Sequence, residues 1–137
     1  MGIKELREAY LDTDYRTTEP PFLHIRPLVK NRGLDDFLRT HGHTAWAFIT
    51  AFNPQSRLQD LSENRSRNQK LEEGLLRLGL DFRKGMGEGR NGGWPPEESY
   101  LIFGLTQPQA MDLGRNHDQK SILFGRLGQK AQLIFIP

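Results

Sequence analysis

No cysteine occurs anywhere in the 137 residues. That excludes disulfides, thiolate zinc sites, iron–sulfur clusters and a cysteine nucleophile, and it is compatible with a reducing cytosol. No apolar run approaches the ~20 residues needed to span a bilayer. The charged stretch Met1–Leu11 lacks the apolar centre of a secretion signal. The expectation is a soluble, cytoplasmic protein without membrane contact. An excess of one charge is missing as well, because 19 Lys and Arg face 17 Asp and Glu, for a net +2. A protein that tracks phosphates concentrates far more positive charge on one face, so nucleic acid is a poorly supported partner. A hydrophobic content of 36 %, with 14 Gly and 8 Pro, predicts much loop but no disorder. The length suits one domain with a core that needs no staples.

Periodicity divides the chain as follows. Gly2–Leu11 reads as a short helix with Ile3, Leu6 and Tyr10 on one face. Tyr15–Thr18 and Phe22–Ile25 read as strand pieces around Pro20-Pro21, at a sheet edge or in a loop because proline removes ladder donors. Gly33–Thr40 is a helical turn or short helix. Thr44–Phe52 is the strongest strand, with Trp46, Phe48 and Phe52 on one face and Ala45, Ala47, Ile49 and Ala51 on the other. Apolar residues on both faces predict an interior strand. Ser62–Leu78 is the clearest helix, with Ser62 as N-cap, Gly79 as stop, and Leu71, Leu75 and Leu78 as its apolar stripe.

Leu80–Met86 and Ser99–Leu105 read as strands joined by a Gly- and Pro-rich loop. Thr106 and Gln109 form a capping box for a helix that buries Ala110 and Leu113. Ser121–Phe124 and Ala131–Ile136 close the chain as a hairpin, the last strand being a candidate sheet edge. The expected fold is α+β, a mainly antiparallel or mixed sheet with two principal helices packed on it. A split β-α-β unit within the elements from Thr44 onward is one topology that fits. One domain is expected over residues 1–137, less regular in 1–43, with the main sheet and helices in 44–136.

The Ser62–Leu78 helix contains the most informative oddity. Followed back from Leu78, Leu75 and Leu71, its apolar stripe reaches Asn68 and Asn64. Two readings stay open: a structural amide network, or a polar pocket in which each amide offers a donor and an acceptor. Arg65 and Arg67 flank that face near a helix N-terminus, which favours an anion. Asn53 ends the strongest strand, where the bland reading is an Asx-turn before Pro54. Glu97 and Glu98 are neighbours in a strand and face opposite sides, so they do not form an acid–base pair. Glu98 is the one expected to face Asn64 and Asn68, and it is the sole, thin candidate for a catalytic carboxylate. The ligand-binding set read from the sequence is therefore Asn53, Asn64, Arg65, Asn68, Glu98 and Ser99.

Other motifs add little. Gly87–Gly92 has the form G-x-G-x-x-G, but Trp94-Pro95-Pro96 follows where a dinucleotide site needs a helix. The stretch reads as a wide hairpin loop in preference to a flap carrying Trp94. His41 and His43 lack a third ligand nearby, so no metal is expected, and no motif calls for a cofactor.

Several short runs carry a resemblance. Phe48–Pro54, Leu61–Asn64, Arg67-Asn68, Leu71, Gly87 and Trp94–Ser99, with Tyr10-x-x-Thr13-x-Tyr15 and Gln119-x-x-Ile122, make the chain similar to a bacterial family known as domain of unknown function 3293. The similarity extends from Tyr10 to Leu133 and departs from the family pattern at Phe52 and at Gly89–Gly93. It implies a compact bacterial domain and supplies no activity or catalytic residue. The leading functional expectation is a binding or regulatory module for a small polar or anionic ligand. An enzyme on a small polar or nucleotide-like substrate, with Glu98 as base and Arg65 as anion clamp, is the alternative. Association through the terminal strand, as in a homodimer, is a third reading.

Overall fold

The computed structural model describes residues 2–137; Met1, at the head of the charged N-terminal stretch, lies outside the described residues. The order is α1 (Ile3–Leu11), β1 (Thr13–Thr17), β2 (His24–Ile25), α2 (Arg32–His41), β3 (Ala45–Ile49), α3 (Leu61–Arg77), β4 (Asp81–Gly89), β5 (Glu97–Phe103), α4 (Gln107–Asn116), β6 (Ser121–Arg126) and β7 (Gln132–Phe135). A single 3-10 turn, Pro54–Ser56, lies between β3 and α3. The strands form one sheet in the order β2-β1-β4-β5-β3-β6-β7, and every neighbouring pair is antiparallel. The chain is thus α+β. β3 and β4, joined through α3, lie on either side of β5, and the short β2 and the terminal β7 are the two edges.

β3 is interior, as its apolar alternation predicts. Ala47 and Ile49 pack with Leu71 and Leu75 of α3 and with Ala110 and Leu113 of α4. Trp46 and Phe48 point the other way, onto Tyr15 of β1 and Leu34 and Leu38 of α2. The sheet therefore carries a core on each face, and successive residues of one strand serve different cores. Capping locks the helices: Asn31 accepts from Leu34 N–H in α2, and Thr106 and Gln109 form the expected reciprocal box at α4.

Several expectations need correction. The N-cap of α3 is Asp60, whose carboxylate accepts the Glu63 N–H at 2.8 Å, so Ser62 falls inside the first turn. Leu78 is 63 % exposed, because the helix ends there and the chain turns away at Gly79 with φ +68°. The apolar stripe of α3 stops at Leu75. In α1 only Leu6 is buried and Ile3 projects outward. Phe52 lies beyond the end of β3 and leaves the cluster of Trp46 and Phe48.

The glycine-rich segment is the largest difference. Gly85–Gly89 is the second half of β4, paired to β1 on one side, with Gly85 to Gly87 also paired to β5 on the other. Only the stretch after Gly89 is loop. Gly85, Gly87 and Gly89 share one face, that of Tyr15 and Phe48, whose rings meet edge-on with centroids 5.2 Å apart. A β-carbon at Gly85 would lie 2.6 Å from the Arg16 carbonyl oxygen and 3.0 Å from the Phe48 ring. Glycine is required there by the approach of its neighbours, and the absent side chains make room for the rings.

Two glycine substitutions should move stability in opposite directions. Gly85→Ala should cost about 1–3 kcal/mol through overpacking against backbone. Gly74→Ala, inside α3 with open space around its β-position, should add about 0.5–1 kcal/mol by helix propensity. Denaturant unfolding of the two variants and the parent chain checks both signs.

Candidate functional site

Beyond Ile49 the chain leaves the sheet, and the N–H groups of Ala51 and Asn53 have no strand to meet. α3 supplies the partners. Asn68 Oδ1 accepts from Ala51 N–H at 2.8 Å while its Nδ2 donates to the Glu98 carbonyl at 2.7 Å. Asn64 Oδ1 accepts from Asn53 N–H at 2.7 Å and its Nδ2 donates to Asn53 Oδ1 at 2.9 Å. Both amides are buried, and a buried amide needs such partners.

Asn53 takes the left-handed conformation, φ 49° and ψ 63°, which asparagine tolerates better than most residues. Its Oδ1 also accepts from Gln59 N–H at 2.9 Å, so the Asx-turn expected before Pro54 does not form. Its Nδ2 donates to Glu97 Oε2 at 2.8 Å. Gln55 and Ser56 follow with φ 54° and 58°, and Gln55 N–H donates to the Asp118 carbonyl at 2.7 Å. Such strain concentrates near functional sites.

The carboxylate that Asn53 holds stands in a cavity of about 290 Å³ on the Tyr15 and Phe48 face of the sheet. It lies where β3 and β4 end and β5 and β6 begin. β4 lines it with Gly87 and Gly89, and α1 covers it with Leu6, Ala9 and Tyr10. Trp94, from the loop between β4 and β5, lines it too and donates through Nε1 to Glu97 Oε2 at 3.2 Å. Asn53 and Trp94 thus fix one oxygen of Glu97, and Oε1 makes no hydrogen bond among the described residues.

Burial raises the Glu97 carboxyl above its ordinary range, against the opposing pull of the Asn53 and Trp94 hydrogen bonds. Although its surroundings withhold most water, Glu97 keeps partial exposure, consistent with a place on the cavity wall. Tyr10 and Tyr15 are raised above the usual phenol range first by burial; the charge of Glu97 adds to both, and for Tyr15 the neighbouring Tyr10 adds more. Ser121, on the same wall, is 5 % exposed and its Oγ has no hydrogen-bond partner. The Tyr10 hydroxyl stands close to Ser121, which pulls the phenol down against the effect of burial. Gln119 is held differently, its Nε2 donating to the Phe52 carbonyl at 3.0 Å. Among the described residues, Asp12 and Glu97 are the charged side chains lining the cavity, and no Lys, Arg or His joins them.

The six residues read from the sequence separate into three groups. Asn53 and Ser99 line the cavity, and Ser99 Oγ donates to the Glu97 carbonyl at 2.9 Å. Asn64 and Asn68 lie behind it, fully engaged with the backbone that shapes it. Arg65 and Glu98 face each other on the α3 side, 2.9 Å apart with side chains 61 % and 38 % exposed. Glu98 does face α3, as expected, and for that reason it points away from the cavity. Sequence reasoning missed Glu97, Tyr10, Tyr15, Gln119 and Ser121. The available signal was the alternation Glu97, Ser99, Leu101, Phe103, which places Glu97 on the same strand face as Ser99.

The two groups facing α3 should respond differently to truncation. Asn68→Ala leaves the buried Ala51 N–H without its acceptor and removes one of two side-chain donors to the Glu98 carbonyl, which keeps Thr50 Oγ1, and should cost about 1–3 kcal/mol. Glu98→Ala removes an exposed ion pair and should cost at most about 1 kcal/mol. Chemical denaturation of both, at low and high salt, tests the contrast, since only the second loss should shrink as salt rises.

The family model described as Protein of unknown function (DUF3293) matches residues 49–122. That span runs from the end of β3 to the start of β6 and includes Asn53, Trp94, Glu97, Ser99 and Ser121 of the cavity. No curated protein and no solved structure matches the chain. With more than half of its length matched, the chain belongs to the DUF3293 family of proteins of unknown function.

Proposed function

We propose that this protein is a small-molecule binding module whose ligand occupies the cavity between α1 and the sheet. The observation that carries the reading is Glu97, a carboxylate with one oxygen fixed by Asn53 and Trp94 and the other left without a partner at the cavity wall. Ser121 supports it, because an unpartnered buried hydroxyl on the same wall invites a hydrogen bond from outside the chain. The volume, about 290 Å³, lies at the small end of the range for ligand pockets.

An anion is a poor occupant. Asp12 and Glu97 would repel it, and Arg65, read from sequence as the anion clamp, is paired with Glu98 at the surface. The binding set we propose therefore keeps Asn53 and Ser99, adds Glu97, Trp94 and Ser121, and gives Asn64 and Asn68 the task of holding Asn53 in place. A catalytic reading would use the same Glu97, whose raised proton affinity suits a general acid or base near neutral pH better than an exposed carboxylate does.

An ionised Glu97 would stand against folding stability. A carboxyl raised in the folded state binds its proton more tightly than in the unfolded chain. Its ionised form therefore costs stability above the raised value and costs nothing below the ordinary value of 4.5. Glu97→Gln keeps an acceptor for Asn53 and Trp94 and removes the charge. The variant should melt higher than the parent chain at pH 7.5, with the difference shrinking as pH falls toward 4.5. A melting temperature that is equal or lower throughout would remove the observation on which the reading rests.

A further inference from the structure

Resting on that reading of the cavity, we infer that its ligand is a compact organic cation whose protonated nitrogen donates to Glu97 Oε1. Charge comes first. The cavity holds two acidic side chains and no basic one, so a ligand with a negative group would meet repulsion and no counter-ion. Shape comes second. Tyr10, Tyr15, Phe48 and Trp94 line the cavity together with the carboxylate, and aromatic walls in a site with an anionic acceptor are an environment in which a cation gains from both the ring faces and the charge. Hydrogen-bonding capacity comes third. Among the described residues both hydrogen bonds to the Glu97 carboxylate go to Oε2 and none to Oε1, and Ser121 Oγ is buried without a partner. Glu97 Oε1 can only accept, so it takes a donor, which an ammonium or amidinium group supplies; the Ser121 hydroxyl can donate or accept.

The remaining lining fits a small, flat body. Gly87 and Gly89 leave the strand face beneath the rings without side chains, and a β-carbon at Gly87 would make only ordinary contact, 3.7 Å from Tyr15. A β-carbon there meets side chains at ordinary contact and no backbone, in contrast to Gly85, and a larger side chain would take up space in the cavity that Gly87 lines. Gly87→Val is thus a way to block the site while keeping the fold.

The test uses three probes of one size: phenethylamine as cation, 2-phenylethanol as its neutral counterpart and phenylacetate as anion. Each is titrated calorimetrically into the full chain and into Glu97→Gln and Gly87→Val. The amine should bind about tenfold or more tighter than the alcohol, as a hydrogen bond to a charged partner warrants, and phenylacetate weakest of the three. In Glu97→Gln the preference for amine over alcohol should fall toward one. In Gly87→Val binding of both should disappear.

Equal binding of amine and alcohol, or tightest binding of phenylacetate, that is lost in Gly87→Val overturns the cation and leaves the cavity standing as a binding site. Binding that survives Gly87→Val, or no binding of any probe to the parent chain, overturns the cavity reading itself. Should Glu97→Gln fail to fold, the order of the three probes on the parent chain decides the charge, and Gly87→Val decides the location.

Discussion

Two backbone N–H groups, at Ala51 and Asn53, emerge from the end of β3 with no neighbouring strand to receive them. In a buried segment they must find acceptors or cost the desolvation of each group. α3 provides them through Asn64 and Asn68, which occupy the same helical stripe as Leu71 and Leu75. The helix is therefore fixed on the sheet by apolar contacts along its second half and by amide–backbone bonds along its first. That division sets the register of everything near the cavity. Asn64 grips both the main chain and the side chain of Asn53, leaving the Asn53 Nδ2 to reach across to Glu97. A chain of three side chains thus runs from one face of the sheet to the other.

The alternation of β5 then separates chemistry from structure. Glu97 and Ser99 turn toward the cavity, whereas Glu98 and Tyr100 turn toward α3. Adjacent carboxylates meet opposite surroundings: Glu98 has an arginine partner and open water, and Glu97 has neutral donors, aromatic rings and restricted water. The pleat of one strand produces this difference. The glycines of β4 complete it. With no side chains at Gly85, Gly87 and Gly89, the face opposite Glu97 stays low, and Tyr15 and Phe48 can lie across it.

Much of this was legible in the residues. β3, α2, α3, α4 and the closing hairpin follow from periodicity and caps, and the α+β class follows from their order. The amide stripe of Asn64 and Asn68 stood out because it broke an apolar pattern. What it contacts was not legible, since the helix could not be placed on the sheet from local spacing. The choice between Glu97 and Glu98 needed the same information, because two neighbours in a strand differ only in which face receives which helix. The glycine run was read as loop because glycine weakens a strand when considered alone. Its pairing with β1 and β5 is a property of residues distant in sequence, Thr13–Thr17 and Glu97–Ser99. Tyr10 and Ser121 reach the cavity from the two ends of the chain, where Tyr10-x-x-Thr13-x-Tyr15 and Gln119-x-x-Ile122 mark a family likeness but say nothing of a shared cavity.

Three kinds of departure from ordinary folding economy coincide at the cavity. Asn53, Gln55 and Ser56 adopt left-handed backbone conformations within four residues. A hydroxyl is buried without a partner at Ser121, and a carboxylate is kept in surroundings that disfavour its charge at Glu97. Single departures occur elsewhere, such as the buried, unpartnered Arg67 Nε and the positive φ of Leu28, but only here do all three kinds meet. A sequence shaped by stability alone has no reason to place strain, an unmet hydrogen bond and a disfavoured charge around the same cavity. The cost becomes intelligible when the cavity is occupied. A donor at Glu97 Oε1 would relieve the charge, and a polar group beside Ser121 would complete its bonding. On the proposed reading, ligand binding would restore locally what folding alone leaves unfinished, and the strained turn at Asn53 would aim the carboxylate at that partner.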